Sequence, residues 1–192
     1  MARLVIGADE VGLGAVLGPV VAAAVVLPSK SPIEGLGDSK KIAHNRRVQL
    51  ARTIMTEAPF WAITLSGVPL INKHGIARCH RDCMRVAVLV CREEYPEAEI
   101  ILDGDRPIHE LGHHRCIVKA DTKIAAVSAA SIIAKVHRDE LVVRLASKYP
   151  RYDLENNKGY GTAKHLKALK EHGVTKHHRK DYAPVRRLIE GI

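Results

Sequence analysis

The stretch Leu4-Val5-Ile6-Gly7-Ala8-Asp9-Glu10-Val11-Gly12-Leu13-Gly14 places an apolar run, then two adjacent carboxylates, then a glycine-rich turn. The apolar run predicts a short buried strand that delivers Asp9 and Glu10 to its carboxyl end. Beyond the turn, residues 20–27 are β-branched and alanine-rich between Pro19 and Pro28. They predict a second strand, the hairpin partner of the first. The segment Gly12-Leu13-Gly14-Ala15-Val16-Leu17-Gly18 imitates a dinucleotide-binding loop. That motif needs a helix next, with its N–H groups aimed at the pyrophosphate. Here a proline and a strand follow, and the two acids would repel phosphate.

Working outward, residues 29–41 read as a loop punctuated by Pro32, Gly35 and Gly37. Val48, Ala51, Ile54 and Met55 recur at helical spacing, and residues 60–65 predict a third strand. A long helix is predicted over 70–94, with Ile76, Cys83, Val86 and Val90 inward. Ile100-Ile101-Leu102 predicts a strand stopping at Asp103-Gly104-Asp105, and Cys116-Ile117-Val118 one stopping at Lys119-Ala120-Asp121. A second long helix is predicted over 122–148. Its small residues (Ala125, Ala126, Ser128, Ala129, Ala130, Ser131) would allow close packing on a sheet. Shorter helices are predicted over 162–172 and 183–190. The order predicts an α/β chain with a mixed sheet and helices on its faces.

The 192 residues suit one domain, 1–192, with a sizeable core. The formal charge is +9, unevenly spread: from Arg144 onward there are twelve Lys and Arg against five Asp and Glu. A basic helical segment over about 150–192 points to an anionic partner such as nucleic acid. No leader peptide is evident, and the longest apolar run, 19–27, is too short to span a bilayer. A cytoplasmic monomer with reduced thiols is the expectation, with no membrane partner. Cys79 and Cys83, near His74 and His80, could suggest zinc. Their spacing within a helical stretch instead favours half-buried thiols.

Acids close three of the predicted strands: Asp9 and Glu10, Asp103, and Asp121. Ligands of open α/β sheets bind at the carboxyl ends of strands, so neighbouring strands would converge four carboxylates. Each acid has a plainer reading. Asp121 could cap the following helix, and Asp103-Gly104-Asp105 could be a turn. Together they call for a neutralising cation, and an oxygen-only donor set favours Mg²⁺ or Mn²⁺. Two such ions on a carboxylate cluster are suited to phosphodiester cleavage.

The motifs also resemble a known family, bacterial ribonuclease HII. The resemblance rests on residues 7–14 and 18–27, Asp38-Ser39-Lys40-Lys41, Leu102-Asp103-Gly104 and Lys119-Ala120-Asp121. It continues through Ser128 to Val136, Arg138-Asp139, Tyr149-Pro150, residues 158–162, His165 and His178-Arg179. It implies a ribonuclease H-like fold, with a mixed five-stranded sheet and a small C-terminal helical extension. It further implies endonucleolytic cleavage of the RNA strand of RNA–DNA hybrids, leaving 3′-hydroxyl and 5′-phosphate ends. The implied catalytic and metal-binding acids are Asp9, Glu10, Asp103 and Asp121. The implied substrate contacts are Gly12, Leu13, Gly14, Ser39, Lys40 and the ribose-sensing Tyr160. Leu13 stands where the family carries arginine, which implies weaker cutting at a single ribonucleotide embedded in DNA. Lys180-Asp181-Tyr182 also departs from the usual serine-phenylalanine ending. Two other readings stay open: a nucleic-acid-binding protein without catalysis, and a ribonuclease H-like nuclease of different substrate, such as a DNA junction.

Overall fold

The computed structural model describes residues 3–191. The first strand, β1 (Leu4–Val11), runs antiparallel to β2 (Val20–Pro28), and β2 runs antiparallel to β3 (Phe60–Ser66). On the other side β1 pairs in parallel with β4 (Glu99–Asp103), and β4 with β5 (Arg115–Ile117). The sheet order is β3-β2-β1-β4-β5, so β1 lies at its centre. The helices are α1 (His44–Glu57), α2 (Val68–His74), α3 (Ile76–Glu94), α4 (Ala125–Ala146), α5 (Leu154–Asn157), α6 (Ala163–His172) and α7 (Ala183–Glu190).

Side chains alternate across a strand, and this splits the core into two layers. Val5, Val21, Ala23 and Val25 meet α1 and α4 on one face. Ile6, Ala8, Ala22 and Ala24 meet α3 on the other. The approach of α4 to β1 is unusually close because Gly7 faces it: a Cβ there would stand 2.2 Å from the Val127 nitrogen. The small residues of α4 have the packing role expected of them, and Ala126, Ser128, Ala129, Ala130 and Ser131 are all buried.

The structure corrects several expectations. The helix read over 70–94 is two helices, broken at Gly75, which adopts φ 79°. Val86 and Val90 point to solvent, as does Met55, while Cys79, Met84, Ala87, Val88 and Cys91 join Cys83 inward. Hydrophobic spacing at three and four residues fits more than one face of α3, and packing on the sheet selects the one that carries Cys79, Cys83, Met84, Ala87, Val88 and Cys91. The second long helix begins at Ala125, after a 3-10 turn at Ala120–Thr122. The last strand ends at Ile117, and Val118 is exposed.

A third apolar cluster joins Val16, Leu17 and Val142 to Tyr152, Leu154, Leu169 and Val185. It fixes the C-terminal helices against α4 and the loop after β1. Two fully buried arginines complete the joint. Arg138 donates to the carbonyls of Leu17, Pro19 and Lys158. Arg179 donates to those of Leu13 and Gly18. Carbonyl acceptors on several segments spread each buried charge over groups that need donors themselves.

Beside these, His165 and His178 form a buried neutral pair. The Thr175 N–H donates to His178 Nδ1 at 3.0 Å. His178 Nε2 then donates to His165 Nε2 at 3.2 Å, and His165 Nδ1 to the Tyr160 carbonyl at 2.9 Å. Burial pushes both imidazoles down, and with the neighbouring His165 it brings His178 to about 4.

Two measurements test this packing. Gly7→Ala should lower unfolding free energy by about 1–3 kcal/mol through overpacking. Gly14→Ala, whose Cβ would meet nothing within 4 Å, should leave it nearly unchanged. Equal denaturant midpoints for the two variants would contradict the close approach. For His178 the unfolded ring takes up a proton near pH 6.5 and the folded ring only near 4. Its contribution is therefore complete above pH 6.5 and lost as pH falls toward 4, by about 3 kcal/mol. Denaturant titrations at successive pH values should show a shallower acid loss in His178→Asn, and identical slopes would count against the pair.

Candidate active site

Asp9 and Glu10 lie within β1 rather than beyond it, paired with Ala23 and Ala22 of β2. Ala8 pairs with Leu102, so the residues that follow each, Asp9 and Asp103, lie next to one another where the parallel pairing of β1 with β4 stops. Strand alternation then divides the adjacent acids. Asp9 faces α4 and is only 6 % exposed. Glu10 faces α3, where its Oε2 lies 3.3 Å from His80 Nε2.

Asp121 arrives from the far side of β5. Lys119 adopts a left-handed conformation (φ 57°) and turns the chain back into the 3-10 turn that carries Asp121. The Ala120 N–H donates to Asp103 Oδ1 at 2.7 Å and ties that turn to β4. The N-cap of α4 is Ile124, so Asp121 does not cap that helix. Gly104, at φ 96°, makes Asp103-Gly104-Asp105 a true turn, and Asp103 still faces inward.

A cavity of about 380 Å³ is lined by all four acids, Ser39, Lys40 and Tyr160. Ser131 and Lys135 of α4 complete it. Gly12, Leu13 and Gly14, expected as substrate contacts, are not in that lining. Gly12 is buried behind it, with φ 96°, and its Cβ would strike Arg138 Nε at 2.2 Å. Leu13 lies on the wall of an adjoining cavity, and Gly14 is at the surface.

The electrostatics are dominated by crowding. Burial, then the Glu10 and Asp103 carboxylates, push Asp9 up to about 8, although the Ser131 hydroxyl and the Glu10 N–H oppose this. Burial, then Asp103 and Asp38, raise Asp121, against Lys40. The flanking cations are held in place. Lys135 Nζ lies 2.8 Å from buried Asp139, which also lies 3.8 Å from Arg47. Ser39 and Ser131 share a 3.0 Å hydrogen bond that joins the 38–41 turn to α4.

Tyr160 is set by its surroundings. Its main chain bridges to Ala15, and Gly159 before it packs so closely that a Cβ would meet the Leu17 oxygen at 2.5 Å. Arg138 Cζ lies 5.1 Å and Lys135 Nζ 5.5 Å from the ring centroid.

Sequence reasoning placed none of Ser131, Lys135, Asp38 or His80 at the carboxylate cluster. The i,i+4 spacing of Ser131, Lys135 and Asp139 on one helix was the available signal for the first two. The cysteines are free, and Cys79, Cys83 and Cys91 lie buried in the α3–sheet interface, deeper than half-buried.

The donor set is entirely oxygen, which suits a hard divalent cation. Among the described residues, no three His, Cys, Asp or Glu side chains close on one point. The acids line the cavity wall instead. That arrangement fits Mg²⁺ or Mn²⁺, which bind through one or two carboxylates and keep sites for water and phosphate. The raised Asp9 reflects its burial beside the Glu10 and Asp103 carboxylates, a crowding of like charge that a divalent cation would offset.

A family profile described as Ribonuclease HII matches residues 6–185. The ribonuclease HII of Trichormus variabilis is 44% identical over 186 residues, covering 94% of this chain and 82% of that protein. That of Polynucleobacter asymbioticus is 43% identical over 190 residues, covering 97% and 96%. Among solved structures, the ribonuclease H2 of Pyrococcus horikoshii superposes with a TM-score of 0.83 at 26% identity, covering 98% of both chains. Bst-RNase HIII, solved in complex with Mn²⁺, shares the fold with a TM-score of 0.73 at 22% identity, covering 98% of this chain and 70% of that one. The carboxylate-lined cavity therefore sits in a ribonuclease H fold, and the chain belongs to the ribonuclease HII family of ribonuclease H enzymes.

Proposed function

We propose that this chain hydrolyses the RNA strand of RNA–DNA hybrids with two divalent cations held by Asp9, Glu10, Asp103 and Asp121. The observation that carries the reading is the convergence of these four acids on one cavity flanked by Lys40 and Lys135. When bound, Mg²⁺ or Mn²⁺ supplies Lewis acidity and offsets the negative charge that builds on the phosphate. Water attacks phosphorus in line, and the 3′ oxygen departs, which gives 3′-hydroxyl and 5′-phosphate ends.

The remaining residues bind and orient. Lys40, beside the buried Ser39, meets a backbone phosphate, and Lys135 is held by Asp139 to face the same cavity. The Tyr160 ring, fixed by Arg138 and Gly159, packs on the sugar at the cut, where the 2′-hydroxyl distinguishes RNA from DNA. Gly14 has open space where a Cβ would be, so a nucleotide can approach its backbone. The basic segment over about 150–192 grips the duplex through phosphates, so affinity falls as salt rises.

Asp9→Asn should reduce cleavage of a continuous hybrid to background while raising the metal-free melting temperature at pH 7 by several degrees. The sign follows from Asp9: folded, it keeps its proton up to about pH 8, whereas unfolded it releases it near 3.8, so the folded chain loses stability relative to the unfolded one as pH rises through that interval. Retained turnover in this variant would overturn the assignment. Leu13→Arg should raise cutting at a single embedded ribonucleotide relative to a continuous hybrid, because a guanidinium can hold a phosphate in two places and leucine cannot. An unchanged ratio of the two rates would count against Leu13 as the limit on substrate choice.

A further inference from the structure

We propose that one strand of the substrate, on one side of the cut, runs through a second groove between α3 and the loop after β4. Arg78, Arg81 and Arg106 are its phosphate contacts. This rests on the hydrolase reading above and extends it to a particular surface.

The groove is a cavity of about 790 Å³ that shares Glu10 and Asp103 with the catalytic cavity. It therefore opens from the acids on the side away from Lys40 and Tyr160. Its inner surface is apolar, built from Leu13, Ile76, Met84 and Ile108. Three guanidiniums stand along it, and all three residues are exposed. The acids facing them are few. Asp82 lies 3.7 Å from Arg78 in an exposed i,i+4 pair, Asp105 is on the exposed turn, and exposed Glu110 lies in the field of Arg81. None of these acids is buried, so each arginine is free to exchange its weak surface pairing for a phosphate.

Across the acids the same pattern repeats. A cavity of about 490 Å³ shares Lys40 and Lys135 with the catalytic one and adds His44, Arg47 and Lys158, together with Glu155 and with Asp139, which pairs with Lys135 and Arg47. The three cavities adjoin through shared lining residues, with basic side chains outnumbering acids toward both ends and the four carboxylates in the middle. A polyanion cut at the centre must continue in both directions, and an internal cut leaves chain on either side. An apolar inner surface accepts sugar and base faces, while guanidiniums on the edge accept phosphate oxygens. A protein partner or a small anion would have no need of continuity with the carboxylates.

The test measures binding of a fluorescent RNA–DNA hybrid in the Asp9→Asn background, where no cutting occurs, with Arg78→Ala/Arg81→Ala/Arg106→Ala added. Affinity should fall at least tenfold near physiological salt. The slope of log affinity against log salt should shrink by about 0.9 for each phosphate that an arginine no longer neutralises. Shortening the duplex from one end should then cost the parent affinity but not the triple variant, while shortening it from the other end should cost both alike. An unchanged affinity and slope, or a loss indifferent to which end is shortened, would overturn the groove assignment. Failure of the wild-type chain to cut the hybrid at all would instead overturn the reading beneath it, before any arginine is changed.

Discussion

The structure turns on the repulsion among carboxylates at the centre of its sheet. Asp9 is almost wholly buried next to Glu10 and near Asp103, and it is pushed up to about 8. Such a group is a standing cost to the fold until a cation offsets it. Much of the surrounding architecture holds the acids there regardless. Parallel pairing of β1 with β4 puts Asp9 beside Asp103, and the left-handed Lys119 swings Asp121 in from β5. Gly7 lets α4 come close enough for Ser131 and Lys135 to join the cavity.

A second set of interactions attaches the C-terminal helices to this centre. Arg138 and Arg179 reach from α4 and the C-terminal segment to carbonyls of the loop after β1. The hydroxyl of Tyr182 also donates to the Leu13 carbonyl. The loop carrying Leu13 is thus held at its backbone, while the leucine side chain remains 36 % exposed on the wall of the α3 groove. The His165–His178 pair extends the same tie to the main chain of Tyr160. The placement of Leu13 and Tyr160 is therefore set by the fold of the C-terminal segment as much as by the sheet.

Much of this was legible in the sequence. Apolar runs ending in acid marked the first, fourth and fifth strands, and all four acids face one cavity. The small-residue face of α4 was equally plain. What escaped was set by tertiary context. Gly75 breaks a helix that hydrophobic spacing carries straight through, and more than one face of α3 satisfied that spacing. Asp121 reads as a cap because it precedes a helix, and only the extra 3-10 turn frees it. The buried, carbonyl-binding role of Arg138 and Arg179 leaves no local signal, since their acceptors are remote in sequence. The glycines of the loop after β1 divide in the same way. Gly12 is required by Arg138 behind it, whereas nothing in the folded chain requires Gly14.

The most direct test of the account is the ionisation of Asp9, followed by ¹³C resonance of its carboxyl group with and without Mg²⁺. The account predicts a midpoint near 8 in the metal-free protein and a fall of several units when Mg²⁺ is added. A midpoint near the ordinary carboxylate value, indifferent to Mg²⁺, would contradict it.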